Sequence, residues 1–119
     1  MKKVLFVGIL FALCSSSLFA VIAYPYPIKY KQPDGSEITI QLRGDERVHW
    51  AETTDGYTLL SNGKNGWEYA VKDISGNLKT SGVLAREIKN RTSTELKLLN
   101  KLPKRLNFSN NQIQTLKSV

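Results

Sequence analysis

Gly44-Asp45-Glu46-Arg47-Val48-His49-Trp50-Ala51-Glu52-Thr53-Thr54-Asp55-Gly56-Tyr57 is the stretch on which the fold of this chain turns. Val48 and Trp50 alternate with polar neighbours, which reads as one buried face of a strand. Asp55-Gly56 is a reversal signal, and Tyr57 and Leu59 resume the alternation beyond it. The stretch therefore predicts a β-hairpin with a large aromatic anchor on each arm. His49 is out of phase with Trp50 and belongs on the wetter face.

Upstream, Tyr24-Pro25-Tyr26-Pro27 blocks helix and favours an extended entry. Ile28 and Tyr30 alternate with Lys29 and Lys31. Pro33-Asp34-Gly35 is a turn with a mechanism: Pro presets one dihedral, Asp bonds back locally and Gly takes the left-handed position. Ile38, Ile40 and Leu42 then face one way, and Thr39, Gln41 and Arg43 the other. Gly44-Asp45 ends that run.

Downstream, Asn62-Gly63 and Asn65-Gly66 bracket a loop. Trp67, Tyr69 and Val71 restart the alternation, Ser75-Gly76 turns the chain, and Leu78 to Ser81 form a short last strand. The pattern predicts an α+β fold. About six short strands make an antiparallel meander, either a curved sheet or a small open barrel, followed by one or two C-terminal helices. Trp50, Tyr57, Trp67 and Tyr69 are expected to fill the core rather than form a sugar-binding platform.

After residue 85 the pattern changes. Thr92-Ser93-Thr94-Glu95 fits a capping box, with Leu96, Leu99 and Leu102 expected near one helix face, Leu98 beside them, and Pro103 as the stop. Ser109-Asn110-Asn111-Gln112 is a second box. Ile113 and Leu116 begin an apolar stripe too short for an independent helix, so this helix is expected to need a partner or to be cut short.

Lys2 and Lys3 followed by the apolar run Val4 to Leu13 read as a secretory signal peptide over residues 1–23. Cleavage is expected after Ala23, with Ala20 as the rival, and the product is expected to be secreted or periplasmic without stable membrane insertion. Cys14 is the only cysteine of the chain and leaves with the signal, so no disulfide is expected in the exported part. Residues 24–85 form the expected β-rich domain, with seven Lys or Arg against eight Asp or Glu. Residues 86–119 form a basic helical tail or linker, with eight against two. Such a tail is either a solvated face or a surface for an anionic partner; export argues against nucleic acid.

The residues do not favour an enzyme. His49 is the only histidine, and no His-Glu-x-x-His motif exists. Asp45, Glu46 and Asp55 are better read as turn residues than as an acid–base pair. No Gly-rich phosphate loop is present, and no cofactor or metal is expected.

The order and spacing of Gln32-Pro33-Asp34-Gly35, Gly44-Asp45-Glu46, His49-Trp50, Thr53, Asp55-Gly56-Tyr57, Trp67 with Tyr69-Ala70, and Arg91-Thr92 resemble the N-terminal pro-region of secreted bacterial immune-inhibitor-A-like zinc metallopeptidases. The likeness runs from about Ala23 to the C-terminus. It implies a role in folding a zincin catalytic domain and keeping it latent during export, in cis in relatives, with action in trans as one alternative here. The catalytic domain itself is missing, so the chain is expected to be either a severed pro-region or a free-standing module. A block directed at the zinc would have to use a carboxylate, His49 or steric occlusion, since residues 24–119 contain no Cys or Met. The alternative is a secreted surface-binding module that uses the basic tail.

Overall fold

The computed structural model describes residues 25–118. The expected signal peptide lies outside them. Six strands follow one another as β1 (Ile28–Lys31), β2 (Glu37–Gly44), β3 (His49–Thr53), β4 (Thr58–Ser61), β5 (Trp67–Lys72) and β6 (Leu78–Leu84). They form one antiparallel sheet in sequence order, the expected meander. Short turns make this order inevitable. Asp34, Asp45 and Asp73 each accept backbone N–H groups from residues two to four further on, which fixes the reversals they start.

Gly44 shows how tight one of these corners is. Its φ is +88°, and a Cβ there would lie 2.0 Å from the Val48 carbonyl oxygen. Only glycine fits both the left-handed dihedral and the close approach.

The register assigns the faces. Ile40 pairs with Thr53, Leu42 with Ala51, Ala51 with Leu59, and Leu59 with Tyr69. This face holds the main core: Ile38, Ile40, Ala51, Leu59 and Tyr69 are buried together with Ala85 and Leu99. The sheet curls enough for Tyr30 of β1 to meet Trp67 of β5, ring centroids 6.3 Å apart at 81°. It does not close, because no ladder joins β1 to β6. Gln32 spans the gap instead. Its amide donates to the Trp67 and Ala85 carbonyls, both at 2.8 Å, and accepts from the Trp67 N–H at 2.9 Å. Glu87 adds a second bridge, its carboxylate accepting from the Thr39 N–H and hydroxyl.

A 3-10 turn (Ile88–Asn90) leads to α1 (Ser93–Leu99), and α2 (Asn110–Lys117) ends the described chain. Both expected capping boxes are formed, Thr92 with Glu95 and Ser109 with Gln112. Leu98, Leu99 and Leu102 pack on the main core. Leu96 does not join them; it is 55% exposed. The residue α1 buries in its place is Glu95, so the helix is rotated away from the all-leucine face that the spacing suggests. α1 ends at Leu99, capped by Asn100, before Pro103 is reached.

Trp50 also differs from expectation. It pairs with Arg43, on the face opposite Ala51 and Thr53. That second face is not bare. The chain after α1 rounds the β3–β4 turn, where the Arg105 N–H donates to the Gly56 carbonyl at 2.9 Å. It then crosses behind the sheet, with the Thr58 hydroxyl donating to the Leu106 carbonyl at 2.7 Å and Phe108 set edge-on to Trp50 at 6.0 Å. Val48, Thr58, Ala70 and Leu78 are consequently buried. β3 is covered on both sides, with Ala51 and Thr53 buried on one face and Trp50 and Glu52 half-buried on the other, which a single alternating pattern does not reveal.

Candidate functional site

The strongest concentration of chemistry lies where α1 meets the sheet. Thr92 caps the helix, and the cap turns the Glu95 side chain inward. The Glu95 carboxylate is wholly buried. It accepts from the Tyr69 hydroxyl at 2.7 Å, the Arg86 N–H at 3.0 Å, the Arg86 guanidinium at 3.2 Å and the Thr92 N–H at 3.0 Å. Arg86 in turn donates to Asp34 of the β1–β2 turn at 2.6 Å. A buried charge of this kind persists only when its lone pairs are filled, and here they are. Burial pushes the carboxyl pKa up, but the donors from Thr92, Tyr69 and Arg86 outweigh it and leave it below its ordinary value. Burial and the same carboxylate drive the Tyr69 hydroxyl well above its ordinary value.

A second clasp lies beside the first. Arg91 donates through both terminal nitrogens to Asp55 of the β3–β4 turn, each at 2.8 Å. Asp55 also accepts from the Thr53 hydroxyl at 2.6 Å. The guanidinium holds the Asp55 carboxyl at about 2, and Asp55 in return raises Arg91 above its usual range. Arg91 and Lys104 both lie over the Tyr57 ring, 5.6 and 5.5 Å from its centroid. The Arg91 Nε and the Trp50 Nε1 are buried polar atoms without a hydrogen-bond partner among the described residues.

The residues singled out by the sequence fall mostly on these clasps. Asp34 reaches Arg86 from the exposed Pro33-Asp34-Gly35 turn. Thr53, Asp55, Gly56 and Tyr57 hold Arg91, Lys104 and Arg105. Tyr69 holds Glu95, and the backbone of Trp67 is bound by Gln32. Gly44 and Asp45 shape the β2–β3 corner, where Val48 and Arg47 N–H groups hold the Asp45 carboxyl below its usual range. Glu46 and His49 stand exposed at that corner; His49 shares the phase of Ala51 and Thr53, the main-core face, so its exposure comes from its place at the start of the strand and not from a wet face. Trp50 alone of this set anchors the second face.

Sequence reasoning missed Gln32, Arg86 and Glu95 as polar centres and Phe108 as the partner of Trp50. The capping box marked the position of Glu95. Nothing local pointed to Tyr69, because that contact spans 26 residues.

Two shallow grooves flank α2. The larger, about 500 Å³, runs between the β2–β3 corner and α2 along Val48, Trp50, Phe108 and Ile113. Its lining is largely apolar, with Asp45 and Lys117 at its rim. Among the described residues no three His, Cys, Asp or Glu side chains converge as metal ligands, and no helix is long and apolar enough to cross a membrane. The buried carboxylate and phenol are locked by their partners. The arrangement is suited to holding a shape. Comparison with protein-family models, with curated proteins and with solved structures gives no match.

Proposed function

We propose that the chain is an exported, non-catalytic module that grips a zinc metallopeptidase catalytic domain, assisting its folding and holding it latent, as the pro-regions it resembles do. One observation carries this reading. The residues on which the resemblance rests are largely the residues that lock the module's shape: Asp34 on Arg86, Thr53 and Asp55 on Arg91, Tyr57 under two cations, and Tyr69 on Glu95. Their side chains are engaged internally, which supports a rigid binding surface rather than a reaction centre.

The test uses the purified protein and the separately produced catalytic domain of an immune-inhibitor-A-like peptidase from the same genome. At micromolar concentration the protein slows substrate cleavage by that domain or raises its yield on refolding. The absence of both effects contradicts the proposal. Turnover of a peptide by the protein alone, abolished in His49→Ala, contradicts its non-catalytic character.

A further inference from the structure

The cations of the C-terminal segment are not equivalent. Arg86 and Arg91 are tied to Asp34, Glu95 and Asp55. Both acidic residues of the segment are also engaged, Glu95 in the buried clasp and Glu87 on Thr39. Lys97 on α1, Lys101 just past it, and Lys104 and Arg105 where the following loop meets the β3–β4 turn are left exposed, without an ion pair among the described residues. Leu96, exposed on the same helix, adds an apolar contact beside them.

This ridge is poorly explained by the fold alone. Lys97 lies in the last turn of α1 and Lys101 in the turn just past its cap, so two like charges gather at one end of the helix. The negative end of the helix accommodates basic residues in its last turn, but it gives no reason for an exposed leucine next to them. Lys104 is held in place over Tyr57, 5.5 Å from the ring centroid, so part of the ridge is pre-set.

We propose that Leu96, Lys97, Lys101, Lys104 and Arg105 form the surface through which the module docks on an acidic patch of its polypeptide partner. The inference rests on the partner-binding function proposed above. Charge complementarity selects an acidic surface. The single leucine, with no broad apolar face on α1, fits a protein patch better than a bilayer, which takes a helix with a large apolar side. No aromatic of the ridge is offered for stacking on bases, as single-stranded nucleic acid would require.

The experiment compares the unmodified protein with Leu96→Ser and with the double variant Lys97→Glu, Lys101→Glu. These positions are exposed, and unchanged thermal melting establishes that the fold is retained. The probes are the immobilised catalytic domain used above, phosphatidylglycerol vesicles and a short DNA duplex. The unmodified protein binds the domain; charge reversal weakens binding about tenfold or more, and Leu96→Ser weakens it about threefold. Unaltered affinity in both variants overturns the surface assignment while leaving the proposed function standing. Failure of the unmodified protein to bind the domain overturns that function, and this inference with it. Tighter binding to vesicles or DNA than to the domain overturns the choice of a polypeptide.

Discussion

Replacing Glu95 by Gln tests whether the buried clasp fixes α1 to the sheet. Gln keeps the capping-box contact, since its carbonyl can still accept from the Thr92 N–H. The amide nitrogen must then face the position where the carboxylate accepts from both Tyr69 and Arg86. The Tyr69 hydroxyl can rotate to accept, but the Arg86 N–H cannot, and it is left without a partner. An unsatisfied buried donor costs about 1–3 kcal/mol, and loss of the half-buried ion pair with Arg86 adds about 1 kcal/mol. The expected destabilisation is about 3 kcal/mol. For a domain of this size that lowers the melting temperature by about 12–24 °C.

The same substitution has a pH signature. The folded-state pKa of Glu95 lies below the ordinary 4.5 of a glutamate carboxyl. Its ionised form therefore contributes stability that is complete above that value and is lost as pH falls through the folded pKa. The gap between the unmodified protein and Glu95→Gln, read by urea denaturation, should be widest at neutral pH and narrow below pH 4.5. A gap under about 0.5 kcal/mol at pH 7 would refute the reasoning, because surface substitutions typically fall within that range.

Three further outcomes follow from the same structure. Asp55→Asn should cost about 2 kcal/mol at neutral pH, the equivalent of lowering the carboxyl from 3.8 to about 2; that stabilisation is present above pH 3.8, disappears as pH falls toward 2, and is read by denaturant titration across that window. Gly44→Ala should destabilise by about 3 kcal/mol or more, because the methyl meets the Val48 carbonyl. Gly35→Ala, at the same φ but with open space, should cost about 1 kcal/mol, and equal effects on the two denaturation midpoints would argue against the close approach. Gln32→Met removes the Gln32 partner of the Trp67 N–H and of the Ala85 carbonyl, while the Trp67 carbonyl still accepts from the Ala85 N–H at 3.0 Å; a loss of about 3 kcal/mol is expected, with faster amide exchange at Trp67 than at the β2–β3 ladder.

The meander was legible because its information is local. Turn residues at Pro33-Asp34-Gly35, Gly44-Asp45 and Asp55-Gly56 sit between alternating runs, and each reversal is made by neighbours in the sequence. Capping boxes at Thr92 and Ser109 are local for the same reason. The misplacement of Trp50 has a different origin. Its alternation with polar neighbours was real, but Ala51 and Thr53 occupy the main core on the other phase, and only the returning segment through Phe108 covers the Trp50 side. Leu96 was misassigned because a leucine outranks a glutamate as a core candidate until a buried tyrosine is found to receive the carboxylate. Gln32, which spans the opening between β1 and β6, carried no mark beyond lying next to a turn. These contacts join residues 26 to 58 positions apart, and no periodicity in a single chain reports them.

Calorimetric titration of the purified protein into the isolated peptidase catalytic domain bears most directly on its role. One-to-one, saturable binding with a dissociation constant of about 1 µM or tighter, about −8 kcal/mol, and with both chains recovered intact is the predicted result. No heat at concentrations near 100 µM, or cleavage of the domain by the added protein, would contradict it.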